Sequence, residues 1–440
     1  MFGYYIDLAL RSLRRTPVLT GLMVLAIGLG IGASMTMLTV LHVMTEDPLP
    51  GRSAHLYYPH IDPLPLNFKT DAMGTNPNQN LTWPDAMALL HAHRAVRQAA
   101  MAGGSLLLWP QRTDLQPFYV DGRYTMHAFF AMFGVPFVAG SGWTAADDQA
   151  GAHVVVLTET LARKVFGMAN AVGQNVRLGK VDFRVVGVTK DWAPKPLFYA
   201  DASTNLYSDA DQFFLPLSVV VNDKHQIDDL RLTGNVSGWS DFNGNMRDPS
   251  TTWIQFWVQL DTPAQVRTYE QFLIDYSAEQ KALGRFQRPP TDAKLYTLMD
   301  WLRHENLVPD DVKLQMWLAL GFLGVAMLNI VALLLAKFLR RSGEISVRRA
   351  MGARKRDIFV QFGIESALIG VAGGLLGLGI AQFGLWSVRQ RPDDYAHLAS
   401  MDPSMLAGTV ALAIVASVLA GMLPAWRACR VPPALQLKTL

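Results

Sequence analysis

The sequence predicts an α-helical membrane protein with four transmembrane helices and a large mixed α/β domain inserted between the first and the second. Three observations carry this reading. Of the 440 residues half are hydrophobic and only 17% are charged, a low charged fraction for a soluble protein. The apolar residues are bunched into four runs free of Asp, Glu, Lys and Arg: Thr16 to Thr45, Leu314 to Ala336, Ser366 to Val388 and Pro403 to Trp426. Each is long enough to cross a bilayer core as a helix. Finally, the basic residues are concentrated on one side of these runs. Arg11, Arg14 and Arg15 precede the first. Lys337, Arg340, Arg341, Arg348, Arg349, Arg354, Lys355 and Arg356 fill the gap between the second and third. Arg427, Arg430 and Lys438 follow the fourth.

The positive-inside rule places all three basic segments in the cytoplasm. Both termini are then inside, as an even number of spans requires. The expected organisation is an interfacial helix over 1–17, span one over 18–45, an outer α/β domain over 46–312 and span two over 313–338. An inner loop over 339–357, span three over 358–388, a short outer loop over 389–403, span four over 404–426 and an inner tail over 427–440 complete it. Tyr5 to Arg15 is amphipathic, with Ile6, Leu10 and Leu13 on one stripe, and such a helix lies in the lipid interface. Span one is read as retained, because its apolar run far exceeds a signal h-region and no A-x-A site closes it.

Glycine marks two spans as packing faces. Span one carries Gly28 and Gly32. Span three carries GxxxG twice, at Gly370/Gly374 and Gly373/Gly377. Small residues let membrane helices approach closely, so these six glycines are the expected helix-packing and dimer contacts.

The outer domain holds no cysteine; the single one, Cys429, lies in the tail. The domain must fold on its own core. Strands are expected over His153 to Leu157, over a hairpin from Val176 to Val185 turning at Gly179-Lys180, over Val219 to Val221 and over Trp253 to Leu260. Helices are expected over Glu159 to Phe166, capped by Thr158 and ended by Gly167, over Trp83 to Ala100 and over Ala264 to Leu283. Loops at Pro59 to Asn80 and Thr233 to Ser250 separate these blocks. Two lobes result, one built from both ends of the segment and one from its middle.

Catalytic signatures are missing. The sequence contains no G-x-x-x-x-G-K-[ST], no G-x-S-x-G and no H-E-x-x-H. His91 and His93 are two apart on an expected helix and do not share a metal. Asp147-Asp148 and Asp228-Asp229 read as solvated loop charges. Within the membrane only His42 and Glu365 are ionisable. Glu365 reads as an interfacial carboxylate balancing the basic loop. A pump would need buried ionisable groups along its route, so the chain is expected to lack an energy source of its own and to be either passive or driven by a partner; no catalytic constellation marks it as an enzyme.

The inner loop is where a partner would act. Val347, Ala350 and Met351 make a small apolar stripe flanked by Arg348 and Arg349, and Gly352-Ala353 breaks the helix. By spacing alone this is either a coupling element or a lipid-binding anchor. Its residues Glu344-Ile345-Ser346-Val347-Arg348-Arg349-Ala350-Met351-Gly352-Ala353, followed by Arg354 to Ile358 and Ile364-Glu365-Ser366, are similar to the E-I-x-[IV]-R-R-A-[LM]-G-A…RDI…ES pattern of FtsX-like permeases, the membrane subunits of MacB-type (type VII) ABC transporters. Pro424 to Ala428 with Pro433 to Leu435 resembles the family's closing segment, with altered spacing. Phe129 to Pro136, Gly140, the Val154-to-Gly167 block and Ala171 to Val188 resemble the MacB periplasmic core domain. The likeness fades between about Asp191 and Leu295.

The resemblance implies a multi-pass inner-membrane permease with a two-lobed, MacB-like periplasmic domain. It implies a coupling helix carrying Glu344, Ile345, Val347, Arg348, Arg349, Met351, Gly352 and Ala353. The chain itself would bind no cofactor; ATP and Mg would be held by a cytoplasmic ABC ATPase dimer, expected as a separate polypeptide. Further expected partners are a second permease copy or a paralogue, a periplasmic adaptor, an outer-membrane duct and membrane lipid, with no nucleic acid. Export of a compound or peptide is the expected role. The same stroke used for lipoprotein release or cell-wall hydrolase activation, and a passive receptor or scaffold, are the alternatives.

Overall fold

The computed structural model describes residues 2–63, 66, 80–200, 206–207, 209–223, 246–305, 310–340, 351–352, 354–390, 400–401 and 403–430. The chain divides into two compact units, Glu46–Leu307 and the remainder, Met1–Thr45 with Val308–Leu440.

The inserted unit is built on one long sheet. Its strands are β1 (Leu56–His60), β2 (Leu81–Thr82), β3 (Arg97–Trp109), β4 (Phe118–Thr125), β5 (Phe137–Gly140), β6 (Val154–Thr158), β7 (Asn175–Leu178), β8 (Val181–Thr189), β9 (Phe213–Pro216), β10 (Thr252–Gln259) and β11 (Lys294–Thr297). They lie in the order β11-β1-β10-β3-β4-β9-β6-β8-β5, with β2 beside β10 and β7 against β3 and β8. The first half of β3 pairs with β10, from Arg97↔Gln259 to Met101↔Gln255. The second half pairs with β4, from Ala102↔Tyr124 to Leu108↔Phe118. One wing therefore comes from both ends of the segment and the other from its middle, joined through β3. Most pairs are antiparallel; β4–β9 and β6–β8 are parallel.

Several expected elements form as read. Thr158 caps the helix Glu159–Phe166 by accepting from the Leu161 N–H, and Gly167 ends it at φ +74°. Strands β7 and β8 form the hairpin around Gly179, whose φ is +61°. The helix Pro263–Ala282 opens on a capping box between Thr262 and Gln265.

Two elements differ. The helix from Trp83 stops at His91, where His93 turns to φ +49°, and 97–109 becomes β3. Ala99, Ala100, Met101 and Ala102 are fully buried. Both faces of the strand are covered there, so tertiary packing overrides the helical preference of alanine. Val219 to Val221 lie in the helix Leu217–Asp223; the strand is the apolar run Phe213–Pro216 just before it. The β-branched valines reach the core from the helix instead, with Val219 and Val220 buried. Of the two expected loops, Pro59 and His60 lie in β1, and most of the rest is outside the described residues.

The unit replaces disulfides with aromatic packing and buried polar ties. Phe129 and Phe133, on the helix Ala128–Phe133, meet edge to face at 4.9 Å and gather Phe198, Tyr199 and Trp192 around them. Asp85, fully buried, accepts from Tyr276 Oη at 2.7 Å and from Arg285 at 2.8 Å, which ties the helix Trp83–His91 to the helix Pro263–Ala282 and the turn after it. Arg123 and Asp211 pair at 2.7 Å inside the sheet, with the guanidinium 4.7 Å from the Tyr199 ring centre. Asp148, expected to be solvated, is buried and accepts from Trp143 Nε1 and the His127 N–H, and its Oδ2 lies 2.7 Å from His127 Nδ1. Asp147 is the capping-box partner of Thr144. Asp228 and Asp229 are outside the described residues.

The second unit is a bundle of four long helices with a shorter leading helix, Phe2–Arg15. The spans are Pro17–Thr45, Asp310–Arg340, Lys355–Arg389 and Pro403–Arg430, and all four are long and apolar enough to cross a membrane. Spans two and three each pack along spans one and four, and the leading helix lies against span three. Hydroxyls stitch the spans to one another: Ser34 donates to the Ala319 carbonyl at 3.1 Å and Ser417 to the Ser366 carbonyl at 2.8 Å.

His60 generates a pH prediction for the inserted unit. Burial, and then the charges of His304, Lys294 and Arg288, push its pKa from 6.5 down to about 4. The ring is neutral in the fold and titrates at its ordinary value when unfolded. Its contribution is therefore intact above pH 6.5 and is lost as pH falls toward 4. The loss is about 2 kcal/mol after allowance for solvent at the ring edge. Tryptophan-monitored unfolding of the detergent-solubilised chain should show this drop, and His60→Gln should flatten it.

Candidate coupling site

The inner loop joins spans two and three. Of its candidate residues, Glu344, Ile345, Val347, Arg348, Arg349 and Ala353 are outside the described residues. Met351 and Gly352 form a turn, and Met351 is 76% exposed. Gly352 sits at φ +99° with open space around it. Only glycine adopts that backbone freely, so the turn is fixed by conformation and not by crowding. Arg354 then takes an extended conformation and span three starts at Lys355, with Asp357 in its first turn, where a carboxylate suits the helix dipole.

A polar layer lies just inside the loop. Glu365 is fully buried and Lys337 is 2% exposed; their charged groups meet at 2.5 Å. Ser12, on the leading helix and also buried, donates to Glu365 Oε1 at 2.6 Å. Three elements thus converge on one carboxylate. Glu365 does balance one of the basic residues that flank the loop, and the two are buried together inside the bundle. Lys337 stands one turn before the end of span two and points inward, and the carboxylate across the bundle compensates its charge. The sequence signal was present: an ionisable side chain in an apolar run needs a partner inside the protein.

The six glycines are all used within the chain. A Cβ on Gly28 would lie 2.8 Å from Leu376, and one on Gly32 2.7 Å from Ile380. Gly373 faces Ile27, and Gly377 faces Ile31 and the Gly28 carbonyl. One GxxxG therefore seats span three on span one. The other, Gly370 and Gly374, lies against Ala413, Ile414 and Ser417 of span four. These faces are therefore occupied by helices of the same chain. Among the described residues no group of three or more His, Cys, Asp or Glu is placed to hold a metal ion.

Residues 20–273 match the MacB-like periplasmic core domain, and residues 316–433 match the FtsX-like permease C-terminal domain. The chain belongs to the FtsX/MacB-type ABC transporter permeases. It is 28% identical over 82% of its length to the pyoverdine export ATP-binding/permease protein PvdT of Pseudomonas entomophila, of which it covers 49%. It is 26% identical over 99% of its length to the macrolide export ATP-binding/permease protein MacB of Rhodospirillum rubrum, covering 60% of it. The chain thus spans about half the length of the curated relatives it matches. A solved periplasmic region of MacB from Actinobacillus actinomycetemcomitans is similar to 57% of this chain and covered over 94% of its own, at 16% identity and a TM-score of 0.35.

In this permease the second ionic partner, Lys337, lies outside the loop motif that the sequence singles out, as does Ser12. The glycine contacts set a direct test. Gly32→Val forces a side chain into Ile380 and should destabilise the bundle by about 2 kcal/mol. Gly379→Ala, where nothing lies within 4 Å, should leave it unchanged or slightly more stable. Thermal unfolding of the two variants in the same detergent measures the difference.

Proposed function

We propose that this permease carries the ATP-driven motion of a cytoplasmic ABC ATPase dimer through its inner loop into its large domain, which lies on the periplasmic side, and that the outcome is export of a compound or peptide. The observation that carries this is the loop itself. The E-I-S-V-R-R-A-M-G-A stretch, Glu344 to Ala353, lies between two spans and ends on the Gly352 turn beside an exposed Met351. The arginines supply charge for a partner, and Val347 and Met351 supply apolar contact. No phosphate loop occurs in the 440 residues, so ATP and Mg would be held by the partner. The basic segments at the leading helix, the inner loop and the tail favour the cytoplasmic side for both termini. Four spans favour pairing with a second copy or a paralogue. The names of the relatives, pyoverdine export and macrolide export, favour export, and a periplasmic adaptor and an outer-membrane duct are the partners that the family resemblance implies for it.

Tagged protein extracted in mild detergent should bring down a nucleotide-binding subunit in near-equal amount. Arg348→Glu with Arg349→Glu reverses the charge the partner meets and should reduce that recovery at least about tenfold. Full recovery with the reversed charges would refute the coupling role of the loop.

A further inference from the structure

Glu365 and Lys337 bracket the inner loop. Lys337 lies one turn before span two ends at Arg340, and Glu365 lies inside the first turns of span three, which starts at Lys355. Their ion pair at 2.5 Å joins the chain on either side of the segment 341–353. The two spans otherwise pack chiefly on spans one and four, so the pair is a direct tie between the helices that carry the loop. Ser12 extends the tie to the leading helix through its 2.6 Å hydrogen bond.

Stability alone does not account for this arrangement. Moving two charges out of water costs several kcal/mol per ion, and well-packed apolar substitutes are often as stable or more so. What the ion pair adds to apolar packing is a cost for any register that separates the two charges, because each would then be left buried and uncompensated. The hydroxyl of Ser12 adds a directional bond to the same oxygen.

We propose that Glu365, held at once by Lys337 and Ser12, is a positioning residue that pins span two, span three and the leading helix into one body at the loop end. A force on the loop then moves all three together. This rests on the coupling reading of the loop given above. The pin acts whether the force pushes the loop toward the membrane or pulls it away.

The test uses the full chain in lipid nanodiscs with Cys429→Ser as background. Spin labels at Arg14→Cys and Arg356→Cys report the leading helix against span three. Labels at Arg340→Cys and Arg356→Cys report span two against span three. All three positions are exposed. Each pair is measured in the parent protein, in the charge-free K337M/E365L form, in the reversed K337E/E365K form and in S12A. The proposal expects narrow distance distributions for both label pairs in the parent, and between spans two and three in the reversed pair, which keeps the ion pair but removes the carboxylate that Ser12 bonds. It expects a roughly twofold broadening between spans two and three in the charge-free form. It expects S12A to broaden only the distances from the leading helix. With the co-purified ATPase present, the charge-free form should still bind it, yet lose about tenfold of the nucleotide-dependent response. A charge-free form with distributions as narrow as the parent and a full nucleotide response would overturn the proposal. The nucleotide-free distances stand apart from the coupling reading: narrow parent distributions with no ATPase recovered would leave the pin and remove its proposed use.

Discussion

A carboxylate buried among packed helices is cut off from water, so Glu365 must be satisfied by the protein, and three helices meet at that requirement. Lys337 comes from span two, Ser12 from the leading helix, and Ser366 and Ser417 continue the polar layer toward span four. Removing one charged partner would strand the other at low dielectric, a loss of order 3–5 kcal/mol. Such a group restricts the bundle to the helix order that brings its partners together. The glycines are the complement of this constraint. With little hydrophobic force between helices in lipid, close backbone approach supplies the attraction, and span three uses one GxxxG toward span one and the other toward span four.

The inserted unit meets the opposite problem. It is surrounded by water and has no disulfide, so it relies on area and on paired polar groups. A single long strand, β3, makes its two wings continuous. The aromatic cluster around Phe129 and Phe133 fills the space beneath the sheet, while Asp85, Asp148 and the Arg123–Asp211 pair are each compensated by hydrogen bonds from distant segments. Such ties fix which segments meet, because an unpaired buried charge is costly. Ties of this kind suit a part that transmits displacement, on the function proposed above.

Much of this was legible in the sequence where local signals and packing agree. The spans were readable from apolar runs, the 159–166 helix from Thr158 and Gly167, and the β7–β8 hairpin from alternation around Gly179. Failures arose where packing overrode local preference. Arg97 to Ala100 look helical in isolation, and become strand where Ala99 and Ala100 of β3 are covered on both faces. Val219 to Val221 look extended, yet belong to a helix after Pro216. The glycine faces of spans one and three were legible, but the sequence does not say whether a small-residue face meets its own chain or another. The partner of Glu365 was hidden for a related reason. Lys337 stood in a row of basic residues that all satisfy the positive-inside pattern, and only geometry separates the one that turns inward. Glu344 to Ala350, the core of the coupling motif, rest on the sequence resemblance, since they lie outside the described residues.

The most direct test of the central claim places a photo-crosslinking amino acid at Arg349 in living cells. If the inner loop is the point where a motor grips this permease, the crosslinked species carries a nucleotide-binding subunit, and its yield changes when ATP is depleted. Crosslinks to lipid alone, or to a protein on the outer side of the membrane, would contradict the account.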